Sequence, residues 1–152
     1  MADIKSKQGN GSFLALATAL LALVALIIYS LNAATQYYND VNAQVVVMTV
    51  LAILFSAAAA ILPKFAFAHN TLVKIAVDIM FVMSAVMLIW SFMIFIGDRV
   101  ESLAYVLGSD LESDNVAAQR GVRQAIAGFV VYFVAWLAVV AGAFSGLKRK
   151  TG

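Results

Sequence analysis

The chain contains no cysteine. That excludes disulfides, thiolate nucleophiles, cysteine-ligated zinc and palmitoylation. It contains one histidine, His69, so a single chain cannot assemble a multi-histidine metal cluster. Proline occurs once, at Pro63. Charge is scarce as well: Asp, Glu, Lys and Arg make up 12% of the 152 residues, against about 25% in an ordinary soluble domain. There is no G-x-S-x-G, no H-E-x-x-H and no phosphate-cradling glycine loop. These absences predict a protein that is not an enzyme and that needs neither cofactor nor metal.

What is abundant is apolar surface. Hydrophobic residues account for 64% of the chain. A water-soluble globule of this size buries only part of the surface it carries, so such a composition belongs in a bilayer. Three runs, 13–31, 43–62 and 124–147, carry no charge, and a fourth, 75–97, is broken only by Asp78. The first covers 19 residues, about 28 Å of helix, close to the thickness of the hydrocarbon core. A cleaved signal peptide would have a shorter apolar stretch and a small-x-small cleavage site, and Leu31-Asn32-Ala33-Ala34 is a poor one, so an uncleaved span is expected. Pro63 ends the second run, because it lacks an N–H to donate and clashes with the preceding turn.

Charge orients the spans. Placing both termini and the 63–74 loop on one side collects seven of the ten basic residues there: Lys5, Lys7, Lys64, Lys74, Lys148, Arg149 and Lys150. Arg99, Arg120 and Arg123 remain on the other side, with Asp40, Asp98, Glu101, Asp110, Glu112 and Asp114. The positive-inside rule then places both termini in the cytoplasm. The polar segment 98–123 carries Val100, Leu103, Ala104 and Leu107 at helical spacing, with Gly108 as a stop and Ser113 or Asp114 as the next N-cap. Span four then extends upstream into a helix of about 30 residues.

The expected fold is all-α: one integral membrane four-helix bundle over 1–152, with cytoplasmic termini and a short extracytoplasmic helical cap between spans three and four. This layout is similar to that of tetraspan proteins such as the MARVEL group, in span number, termini and the larger second outer loop; the likeness is one of layout only.

Asp78 is the one formal charge within a span, which makes it a candidate functional residue. Lys74 lies one turn earlier on the same face, so an interfacial ion pair, a hydrogen bond between helices, and a proton or ion site all compete as readings. Arg120 and Arg123, three apart, either pair with the acids upstream or recognise an anionic ligand. Ala138, Gly142 and Gly146 repeat every fourth residue and predict a close helix-packing seam. Ser56 with Ala60, and Ala15 with Ala19, repeat the pattern on spans two and one. Trp136 is expected to fill bundle core, and His69 to be a solvated loop residue.

The function these features predict is that of a small non-enzymatic multi-pass membrane protein, an accessory subunit or membrane organiser. The alternative is a small oligomeric transporter or channel subunit using Asp78. The expected partners are the lipid bilayer and a protein partner or further copies of the chain, with no role for nucleic acid. The expected location is the cell membrane, plasma or inner.

Overall fold

The protein was analysed as a computed structural model that describes residues 10–35, 37–64 and 71–145. It is helical throughout. Helix α1 spans Asn10–Ala33, α2 Ala43–Ile61, α3 Thr71–Gly108 and α4 Val116–Ser145. Single 3-10 turns at Leu62–Lys64 and Asp110–Glu112 supplement them, and no strand occurs among the described residues. Each helix is long and apolar enough to cross a membrane.

The helix ends follow local chemistry. Asn42 caps α2, its side-chain oxygen accepting the Gln44 N–H at 3.0 Å. Pro63 sits in the 3-10 turn that closes the same helix. Asn115 caps α4 by accepting the Ala118 N–H at 3.1 Å. The expected cap, Ser113 or Asp114, therefore lies one or two residues too early. Ser113 instead closes the preceding turn, its hydroxyl donating to the Asp110 carbonyl.

The separate cap helix expected between spans three and four is not there. Helix α3 runs unbroken for 38 residues, about 57 Å, through Gly97, Asp98 and Arg99 to Gly108. A charge does not break a helix. Gly97 is tolerated because it faces open space, with nothing within 4 Å of where a side chain would start. The amphipathic stripe is thus the last turns of α3. It packs on one side only. Leu103 and Val106 meet Ala118, Val122 and Tyr37 in a small second cluster, whereas Leu107 points away from the bundle and is 66% exposed. Helix α4 has the 30 residues anticipated.

The four helices form a square bundle in chain order. Helix α1 packs against α2 and α4, α3 packs against α2 and α4, and the α1–α3 diagonal barely touches. The buried stripes show why. On α4 they are Ala118, Gly121, Ala125, Gly128, Tyr132, Ala135, Val139 and Gly142, alternating steps of three and four. On α3 the series runs Val77, Phe81, Ser84, Leu88, Ser91 and Phe95. Ala15, Thr18, Ala22, Ala25, Tyr29 and Asn32 form the stripe of α1, and Val45, Thr49, Ala52, Ser56 and Ala59 that of α2. A 3-4 repeat in every helix is the coiled-coil pattern, the one expected of helices that pack side by side at a shallow angle.

Size is sorted inside out. Most of the buried positions are Ala, Gly, Ser or Thr, while Phe13, Leu20, Leu54, Val82, Met93 and Phe144 are all more than half exposed. In lipid the large apolar groups have nothing to escape from, so close backbone approach governs packing. Glycines take this furthest. A Cβ on Gly128 would stand 2.7 Å from the Phe95 ring, and one on Gly142 2.8 Å from the Phe81 ring. Two aromatic rings of α3 therefore sit in notches of α4 that only glycine leaves open.

Candidate functional site

The core is polar at three levels. In the part of the core farther from Arg99, Ser56 and Ser84 hydroxyls lie 2.6 Å apart, and Ser84 donates to the Ala52 carbonyl at 3.0 Å, which leaves Ser56 as the donor within the pair. At mid-height, Thr49 donates to the Val45 carbonyl, so the 2.8 Å contact between Thr49 and Tyr132 has the tyrosine as donor. This bond crosses the bundle from α4 to α2. Each hydroxyl thereby gains a partner within the buried core.

The third level carries charge. Arg99 continues the α3 stripe four residues beyond Phe95 and is completely buried. Its Nη1 and Nη2 donate to both carboxylate oxygens of Asp40, at 2.9 and 2.8 Å, in a bidentate pair. Its Nε donates to Asn32 Oδ1 at 2.9 Å. The Tyr38 ring lies 4.0 Å from the guanidinium carbon. Asn32 in turn donates to the Gly121 carbonyl at 2.9 Å, and so brings α4 into the network. Beside it, Asn42 donates through Nδ2 to Asp98, while its backbone N–H donates to the Tyr29 hydroxyl at 2.7 Å. One side chain thus joins α3 to α1, to the α1–α2 connector and, through Asn32, to α4.

The connector is folded to make this possible. Asn39 takes a left-handed backbone, φ 44°, which asparagine accepts more readily than most residues. The Asn39 N–H then reaches the Thr35 carbonyl and the Asp40 N–H the Ala33 carbonyl, which turns Asp40 back over the end of α1. Gly121 leaves room for Tyr38, whose ring edge lies 3.0 Å from where a Cβ would stand. Tyr37 lies alongside, and burial, with help from the Glu112 carboxylate, raises its phenol above the ordinary value. An open groove of about 440 Å³ above the clasp is lined by Tyr37, Tyr38, Asp40, Asp98, Glu101, Ser102 and Tyr105.

The residues singled out from the sequence are not brought together. Asp78 is exposed on the outside of α3, in a shallow depression with Ile75, Ile79, Val82 and Met83. Lys74 is exposed one turn away, but the ion pair found among the described residues is Arg99–Asp40, not Lys74–Asp78. Arg120 and Arg123 are both exposed. They share an open groove with Asp114 yet make no ion pair among the described residues. Gly142 is buried on the α4 stripe, Ala138 is half-buried beside it, and Gly146 lies outside the described residues, as do His69 and Lys148 to Lys150. Trp136 is half-buried against the core and stacked on Phe133. No group of three or more His, Asp or Glu among the described residues is arranged to hold a metal ion.

Arg99, Asn32, Asp40 and Ser84 are not among the residues the sequence singles out, and Ser56 enters there only as a small packing residue. Arg99 follows an apolar run, so by sequence it reads as a connector charge. The available signal was phase: positions 88, 91, 95 and 99 keep the 3-4 spacing of the α3 core. Compared with known protein families, curated proteins and solved structures, the chain shows no significant match.

Proposed function

We propose that this chain is a four-span membrane protein, with both termini in the cytoplasm of a cell membrane, that acts without catalysis as an accessory subunit or membrane organiser. The observation that carries the reading is the closed core. The small-residue stripes let the backbones approach closely, aromatic rings fill the glycine notches, the Ser56–Ser84 and Thr49–Tyr132 hydroxyls pair, and the guanidinium is held by Asp40 and Asn32. Such an interior leaves function to the exterior and the ends. The orientation follows from the charges: Lys64 and Lys74 sit at one end, and the acids of both connectors sit at the Arg99 end. Along α3, Asp78 and Arg99 stand 21 residues apart, about 31 Å, which matches the hydrocarbon thickness and favours an interfacial Asp78.

Two measurements test this. The natural chain lacks cysteine, so single cysteines introduced at Ser6, Thr151, Asn39 and Ser109 give clean labelling. The first two should react from the cytoplasm and the last two from outside; labelling of Ser6 and Ser109 from the same side would end the four-span reading. Extraction in a gentle detergent, followed by mass analysis, should recover a protein partner or a homo-oligomer. A monomer alone would remove the partner-based role.

The alternative, an oligomeric transporter or channel subunit, draws on one observation: Asp78 is exposed among apolar side chains. A path between copies would have to include it. Asp78→Asn with an intact fold and lost proton or ion movement would support that alternative and sink the first reading.

A further inference from the structure

The groove at the start of α4 carries charge that its own bundle does not use. Arg120 and Arg123, three residues apart, lie on one face of the helix and line an open depression of about 450 Å³ with Ser113, Asp114, Val116 and Gln119. The two neutral donors there are engaged: the Ser113 hydroxyl donates to the Asp110 carbonyl, and the Gln119 amide donates to the Glu112 carbonyl. The guanidinium groups form no ion pair among the described residues. Two forks of N–H donors converging on one exposed groove suit a tetrahedral oxyanion better than a carboxylate, because phosphate offers oxygens to both. Asp114 on the rim opposes a dianion and favours a singly charged phosphodiester.

Position identifies the source of that phosphate. Arg123 is two residues past Gly121, whose carbonyl is bonded by Asn32 in the last turn of α1. The pair therefore stands where the apolar part of the bundle ends. Continuing along α4 on the same side, Ile126, Val130, Val134 and Leu137 are 46%, 57%, 43% and 46% exposed. Residues at this spacing form one stripe. A headgroup site thus opens directly onto an apolar track long enough for an acyl chain. A soluble phosphate compound has no use for the track, whereas a phospholipid uses both parts.

We propose that Arg120 and Arg123 bind the phosphate of an anionic phospholipid in the leaflet at the Arg99 end, with its acyl chain lying along Ile126, Val130 and Val134. The inference rests on the helices crossing a bilayer and not on the partner-based role.

The test uses the full chain in a mild neutral detergent, with phosphatidylglycerol and phosphatidylcholine of identical acyl chains at equal concentration, and counts lipid adducts by native mass spectrometry. Two arginines near an anionic headgroup, partly opposed by Asp114, should make the ratio of phosphatidylglycerol to phosphatidylcholine adducts fall about tenfold in the double variant Arg120→Gln with Arg123→Gln. Both side chains are exposed and unpaired in the bundle, so the variant should unfold at the unchanged temperature. Asp114→Asn should raise the ratio, a gain that misfolding cannot mimic. A large excess of inorganic phosphate should not displace the lipid. An unchanged ratio in the double variant, or no rise with Asp114→Asn, would overturn the site. Displacement by inorganic phosphate would overturn the lipid assignment in favour of a free phosphate ligand. Each of these outcomes leaves the cysteine-labelling and partner-recovery results untouched, so failure here is separable from failure of the proposed role.

Discussion

The middle of the bundle and its Arg99 end hold the same four helices together by different means. In the middle, neutral hydroxyls bond in pairs, Ser56 to Ser84 and Tyr132 to Thr49, and each bond joins two helices. At the Arg99 end, one buried cation on α3 reaches two other segments directly and a third through Asn32. Hydroxyl bonds within a membrane average about 0.6 kcal/mol, because the unfolded state in lipid also finds partners. A buried charge is different. It contributes little net stability when paired, and its unpaired state is severely penalised. The middle is therefore redundant and graded, whereas the Arg99 end is nearly all-or-none.

The sharpest break comes from removing the counter-charge. Asp40→Asn leaves a fully buried guanidinium without its carboxylate, and should cost about 3–5 kcal/mol in reversible unfolding by detergent titration. Arg99→Met should cost less, about 1–3 kcal/mol, because Asp40 is half exposed and can turn to water, leaving mainly the Asn32 oxygen unpaired. Equal losses would show that Asp40 is as desolvated as its partner. Gly128→Ala should destabilise by about 1–3 kcal/mol, since the Phe95 ring must move, and Gly97→Ala should not destabilise at all. Ser84→Ala should cost about 0.6 kcal/mol and no more than about 1.7. A loss as large as that of Asp40→Asn would erase the distinction between the two regions. Asp78→Asn is expected to leave both unfolding and function unchanged, as befits an exposed interfacial carboxylate.

The sequence made the spans legible and the clasp illegible for one and the same reason. The bilayer penalises charge, so uncharged runs mark helices, and all four were found. The same rule ends the third run at Gly97, before Asp98 and Arg99, and so hides the unbroken continuation of α3 to Gly108. Arg99 escapes the penalty because Asp40, 59 positions earlier, returns to it through a left-handed turn at Asn39. Nothing local to residue 99 announces that pairing. The glycine seam was legible in kind but not in phase. Spacing by four selected Ala138, Gly142 and Gly146, whereas the buried stripe alternates three and four and passes through Gly128, Ala135 and Gly142. The outward direction of Asp78 was not legible, because that requires knowing which stripe of α3 faces inward.

The Arg99 clasp also has a history within each molecule's synthesis. Asp40 emerges with the first pair of helices, long before Arg99 is made. Until α3 arrives, the α1–α2 connector holds a carboxylate with no guanidinium to meet. If α3 entered the membrane upside down, Arg99 would be carried to the opposite face, about 31 Å from Asp40, and neither partner would be matched. Closure of the pair therefore requires that α3 run so that its Arg99 end meets the α1–α2 connector. A chain that cannot close it would present an unpaired acid and a stranded cation.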